Sequence, residues 1–367
     1  PKGRGCLSSK TGRLASPPPW GEGQGEGALR WFQQSGNALR RYVWPMKRET
    51  LERQQVWVYL AAIVTGLALG AAVPALAPVM EVLLWPSLAF LLYATFTQVP
   101  LAHLPAAFRD MRFMSAVLAG NFVVLPVLVG GLLALVPDDP VVRLGVLLVL
   151  LVPCTDWFIT FAHQAGGDAR RAIAVTPVVL VVQIALLPVY LWLLMGDGFA
   201  EIVSAERMVT VFLVVIVLPL ALAYGTERWV EQDAARGSLI ERLGWLPVPL
   251  LALVVFLIAG SQVEAVQGAA GLLGDVLAAF LLFLAGAAAL GVALGRAFAM
   301  PVAAARTLLF SYATRNSFVV LPFALALPAG WEAAAIVIVF QSLVELFGML
   351  LFLWLVPRLL LPDRAAG

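Results

Sequence analysis

Charge is what this chain has least of. Only 13% of its 367 residues are Asp, Glu, Lys or Arg, 61% are hydrophobic, and the formal net charge is +2. So slight a positive balance does not suggest a nucleic-acid partner, and none is expected. Histidine is limited to His103 and His163, and cysteine to Cys6 and Cys154. Those counts leave no cluster with metal-ligand spacing, so neither a metal site nor a metal cofactor is expected. The two cysteines stand in such different contexts that a disulfide is not expected either. A phosphate-cradling glycine loop and a catalytic triad pattern are also missing, so the chain does not read as an enzyme and no cofactor is assigned. What remains is hydrophobic residue in excess of anything a soluble core can hide. The fold class is therefore an all-α polytopic membrane protein, with the lipid bilayer as its first partner.

The chain divides in two by composition. Residues 1–45 are aperiodic and contain "SPPPWGEGQGEG", and the first methionine is Met46. This stretch is expected to be a disordered N-terminal extension, with the start at Met46 and the membrane domain covering 46–367. The other reading is a cytoplasmic tail whose "ALRWFQQSGNALRRYVW" lies on the membrane as a basic amphipathic helix. A signal peptide is excluded, because the stretch lacks an apolar core.

Apolar runs of about 20 residues, enough to cross a bilayer, follow in series. They are 56–76, 80–102, 113–136, 142–164, 172–195, 208–224, 246–263, 272–299, 303–327 and 333–356. Ten spans with the N-terminus inside place Lys47, Arg48, Arg53, Arg109, Arg112, Arg170, Arg171, Arg228, Arg236, Arg242, Arg296, Arg306, Arg358 and Arg364 on the cytoplasmic side. Only Arg143 and Arg207 fall outside. One missed span would scramble that bias, so both termini are expected in the cytoplasm and the protein in the plasma (inner) membrane.

Two spans carry groups that a bilayer penalises. The fourth holds Pro153, Cys154, Thr155 and Asp156 at its middle, and the ninth holds Arg315, Asn316 and Ser317. Each is the fourth span of a five-span half, 56–195 and 208–356. An odd-numbered half followed by its copy inserts upside down, so the pattern predicts two inverted repeats with a broken helix in each. Proline removes a backbone donor, and the freed carbonyls need partners or a wet cavity. Thr155 or Asp156 is expected to cap the second half of the fourth helix, and Asn316 or Ser317 that of the ninth. If the breaks cross, Asp156 comes within reach of Arg315. An unpaired arginine at the bilayer centre costs on the order of 3 kcal/mol. The tenth span adds Gln341, Ser342 and Glu345. With Asp156 set against Arg315, Glu345 is left as a candidate proton carrier.

The bland readings are set beside these. Cys154 also fits as a small core filler, and Asp156 with Arg315 as a structural pair. Asn121 and Gln183 read as interhelical hydrogen-bond formers, and "LAGAAALGVALG" in the eighth span as close helix packing.

The ten spans, the two breaks and "VPCTDWFITFAHQAGGD" together resemble the bile acid:sodium symporter superfamily, and within it the arsenite efflux permeases. Cys154 matches the cysteine of that branch, Gly167 and Asp168 its Gly-Asp loop, and Leu343, Val344 and Glu345 its Leu-Val-Glu stretch. The resemblance implies broken helices 4 and 9 crossing in a core domain that rocks against a panel of the other spans. It also implies a metalloid oxyanion or hydroxide as cargo. Cys154, Thr155, Asn316 and Ser317 would bind the substrate, and Asp156, Arg315 and Glu345 would form the charge pair and proton-coupling set. Two departures stand out. Where sodium-coupled members have Glu-x-x-x-Gln-Asn, this chain has Ser311, Arg315 and Asn316, which argues against sodium coupling. Where the arsenite branch has Asn-Asn-Phe and a glutamate, this chain has Asn316, Ser317, Phe318 and Val319. The expected activity is arsenite or antimonite export by proton antiport. The alternative is transport of a small organic anion whose carboxylate Arg315 holds.

Overall fold

The computed structural model describes residues 48–99, 110–195, 210, 212–233 and 236–363. The described residues belong to one compact unit, Met46–Gly367. The expectation for residues 1–45, and His103, lie outside the described residues. In chain order the helices are α1 (Arg48–Ala72), α2 (Ala77–Phe96), α3 (Met111–Leu135), α4 (Pro140–Leu151), α5 (Trp157–Gln164), α6 (Ala169–Met195) and α7 (Phe212–Glu231). They continue with α8 (Gly237–Leu243), α9 (Pro247–Ser261), α10 (Val263–Ala297), α11 (Val302–Ala313), α12 (Ser317–Leu325) and α13 (Glu332–Leu355).

Among the described residues, eight candidate membrane spans are long and apolar enough to cross a bilayer. They coincide with eight of the ten runs expected from sequence. The other two, 142–164 and 303–327, are each two shorter helices separated by a non-helical break: α4 with α5, and α11 with α12. Large apolar side chains such as Trp57, Val82, Val127, Trp192 and Leu359 are exposed. In water that surface would be untenable, whereas in a multi-pass membrane protein it is the lipid face.

Local chemistry sets the ends. Asp110 caps α3 by accepting from the Phe113 N–H at 3.0 Å. Asp139 caps α4 by accepting from Val141 and Val142, with Pro140 in the first turn, where its missing N–H costs nothing. Inside α3, Gly120–Val124 form a π-helical turn just ahead of Pro126, and Asn121 sits in that turn.

Packing separates two groups of helices. Helix α9 packs on α1 and α2, and α7 on α2, while α10 packs on α11 and α13, and α13 on α4. Small residues set the approach, as the sequence suggested. A Cβ on Gly291 of α10 would come 2.6 Å from the Leu309 Cα of α11, and one on Gly295 would come 2.9 Å from the Ala305 Cβ. Larger residues at those positions would push α11, and the break that follows it, out of place.

One end of the bundle is tied by charge. Asp168 caps α6 by accepting from the Arg170 and Arg171 N–H groups, and its own N–H donates to Thr307 Oγ1 at 2.7 Å. Arg171 reaches both Asp110 (2.7 Å) and Asp168 (2.6 Å). Arg306 donates to the Leu361 carbonyl through Nε and Nη2 and pairs with Asp363 at 3.0 Å. Between α5 and α6 the turn passes through Gly166 at φ +74, a left-handed conformation that glycine adopts without penalty.

Candidate functional site

Both breaks end in the same place. Pro153 pairs with Arg315 as an isolated antiparallel bridge. Its two hydrogen bonds run from the Cys154 N–H to the Thr314 carbonyl (3.1 Å) and from the Asn316 N–H to the Val152 carbonyl (2.7 Å). Backbone groups released by each helix end are therefore satisfied by the other break. That is the condition for non-helical backbone at membrane depth.

The accounting leaves a remainder. In an unbroken helix the carbonyls of Leu150, Ser311 and Tyr312 would accept from the N–H groups of Cys154, Arg315 and Asn316. Those three N–H groups are taken by Thr314, by the Glu345 carboxylate (2.9 Å) and by Val152. All three carbonyls turn instead to the Arg315 guanidinium. Nη2 donates to Tyr312 O at 2.7 Å and Ser311 O at 3.1 Å, and Nη1 to Leu150 O at 3.3 Å. Asn121 Oδ1 accepts from Nη2 at 2.9 Å, Nε has no hydrogen-bond partner among the described residues, and the guanidinium lies 5.3 Å from the Phe283 ring centroid. The arginine is 2% exposed.

Of the residues expected to bind substrate, Cys154, Thr155, Asn316 and Ser317 are all buried at this crossing. Asn316 Nδ2 donates to Thr155 Oγ1 at 3.2 Å, which joins the two breaks through side chains. Asn316 also caps α12 by accepting from the Val319 N–H, as anticipated. On the other break the cap differs from expectation. Asp156 occupies the N-cap position of α5 without a side-chain capping bond, and its carboxylate accepts from the Cys154 thiol at 3.0 Å. Ser317 accepts from Ser342 at 2.7 Å and donates to Gln341 Oε1 at 3.4 Å, bringing α13 to the site.

Glu345 is 1% exposed, and its oxygens differ. Oε2 accepts from the Arg315 N–H and from Gln341 Nε2, both at 2.9 Å, and Oε1 has no hydrogen-bond partner among the described residues.

Asn121, expected as an interhelical hydrogen-bond former, joins α3 to α11 by accepting from Arg315 Nη2 at 2.9 Å and donating to Ser311 Oγ at 3.1 Å. Gln183, expected in the same role, has no side-chain hydrogen-bond partner among the described residues. One feature was not anticipated from sequence. Trp157, the first residue of α5, stacks on Tyr59 of α1 (6.2 Å between centroids) and meets Phe318 of α12 edge-on at 5.1 Å. The aromatic residues at the starts of the second half-helices, Trp157 first in α5 and Phe318 second in α12, were a sequence signal for that cluster.

Compared with known families, residues 85–269 match the model for the Sodium Bile acid symporter family, about half of the chain and including the first break. No curated protein matches the chain.

Proposed function

The chain belongs to the sodium bile acid symporter family, and from that premise we propose that it is a secondary active transporter that exports arsenite or antimonite by proton antiport. The observation that carries the proposal is the buried Cys154 thiol at the crossing, with Asp156, Thr155, Asn316 and Ser317 around it. Trivalent arsenic is thiophilic, and thiolate-type ligands select soft species. One thiol makes a reversible site. As Sγ bonds to As(OH)₃, one As–OH bond breaks and the thiol proton leaves with that hydroxide as water. Asp156, already accepting from the thiol, holds the proton on its way. Hydroxyl and amide groups of Thr155, Asn316 and Ser317 orient the remaining arsenic hydroxyls. Glu345, with one free oxygen, is the proton carrier.

Architecture supports the reading. The shift in numbering that carries Pro153 onto Arg315 also carries Pro140–Leu151 onto Val302–Ala313. It brings α1, α2, α3 and α6 close to α7, α9, α10 and α13 in turn. The two bridge hydrogen bonds exchange under the same shift. Eight long spans and two broken ones then make ten crossings in two inverted repeats, 56–195 and 208–356, within the domain 46–367. The positive-inside bias puts both termini in the cytoplasm of an inner-membrane protein. The group α1, α2, α7 and α9 would be the panel, and the helices around the crossing the core, for alternating access. An organic anion anchored on Arg315 has less behind it, because the guanidinium's hydrogen bonds go to internal oxygens.

The test is arsenite accumulation in cells lacking their own exporters. Expression should lower accumulation several-fold, and Cys154→Ser at equal expression should abolish the effect. No change from the well-expressed parent would sink the reading.

A further inference from the structure

The surroundings of Arg315 resemble the coordination of an ion more than a salt bridge. Three of the four oxygens that receive the guanidinium are main-chain carbonyls, and the fourth is the Asn121 amide. Leu150 lies in the last turn of α4, and Ser311 and Tyr312 in the last turn of α11. Each carbonyl has lost its helical N–H to another acceptor. Two half-helices thus aim their negative dipole ends at one buried point. Half-helix C-termini and unwound carbonyls form the usual coordination of an alkali cation in transporters with discontinuous helices. Neutral oxygen donors of this kind suit hard cations.

We propose that this is a monovalent-cation site filled by a cation the chain carries itself. The Arg315 side chain takes the place of a dissociable sodium ion. It supplies the positive charge the carbonyls require, and it cannot leave. The crossing is then held together at every stage of transport without sodium, and a sodium gradient cannot be coupled through this point. The inference is independent of the cargo and stands or falls on cation binding alone.

Removing the arginine should expose the site. The full chain, purified in detergent, is melted in sodium chloride and in choline chloride of equal concentration. For the parent, the same midpoint is expected in both. Arg315→Ala and Arg315→Gln should melt several degrees lower in choline and regain much of the loss as sodium is titrated in, with saturation. Saturation separates site binding from a general salt effect. A saturable rise with sodium in either variant, absent from the parent, supports the proposal. It is overturned if both variants are as indifferent to sodium as the parent, if the parent itself is stabilised saturably by sodium, or if neither variant folds in either salt. In the last case Arg315 is a structural pin that no free ion replaces.

Discussion

At residue scale, Glu345 presents two oxygens to very different surroundings. Oε2 is tied to the Arg315 backbone and to Gln341, while Oε1 is buried without a partner. Protonation of Oε1 would leave both existing hydrogen bonds intact. On the proposed function, proton gain or loss at this oxygen would leave the crossing in place. Glu345→Gln keeps an acceptor oxygen for the Arg315 N–H and removes the titration. Arsenite movement driven by a pH gradient in everted vesicles is expected to fall at least tenfold in this variant, while exchange of arsenite for arsenite without a gradient persists. Equal loss of both would remove Glu345 from the proton path. Cys154 is the contrasting case, because its serine replacement should eliminate both.

At the scale of elements, the half-helices are placed by their neighbours more than by their own sequences. The α11 helix is pinned from behind by α10, where Gly291 allows backbone contact with Leu309. Gly291→Val forces the helices apart, and overpacking of this kind costs about 1–3 kcal/mol. The melting midpoint should fall accordingly, and transport more steeply, since a displaced α11 carries Thr314 and Asn316 away from Val152 and Cys154. A midpoint unchanged from the parent would show that α10 does not set this spacing.

On the scale of the whole molecule, ties between distant segments gather at the end where α3, α6 and α11 begin. Arg171 joins Asp110, ahead of α3, to Asp168, ahead of α6. The hydrogen bond from Arg171, with a smaller contribution from the Phe113 N–H, holds the Asp110 carboxyl below its ordinary value of 3.8. A carboxyl depressed on folding stabilises the fold above its unfolded pKa, and that stabilisation is lost as pH falls through the lower folded value. Asp110→Asn should therefore lower the melting midpoint modestly at neutral pH. The difference from the parent should shrink once the pH falls below about 3.8, the ordinary carboxylate value. A difference that does not vary with pH would mean that the loss is one of helix capping and not of charge.

Much of the framework was legible from one-dimensional patterns. Apolar run length marks a helix that must satisfy its backbone internally in lipid, and the runs were found where the helices are. Pro153 and the polar groups around Arg315 marked both breaks, because such residues are costly at that depth and are kept only where the chain departs from helix. The partners of those residues were not legible. That Asp156 receives the Cys154 thiol and does not cap α5 depends on the path of the chain through the break, which no residue pattern prescribes. That Arg315 meets Asn121 and three carbonyls depends on where every displaced N–H goes, and the answer involves Val152, Thr314 and Glu345 on three different elements. The sequence by itself determined a helical membrane chain interrupted at two corresponding points, because hydrophobic length and helix breaking are local properties. Only the tertiary structure decided that the interruptions complete one another and enclose an arginine, because hydrogen-bond satisfaction at a crossing is settled between segments remote in the chain.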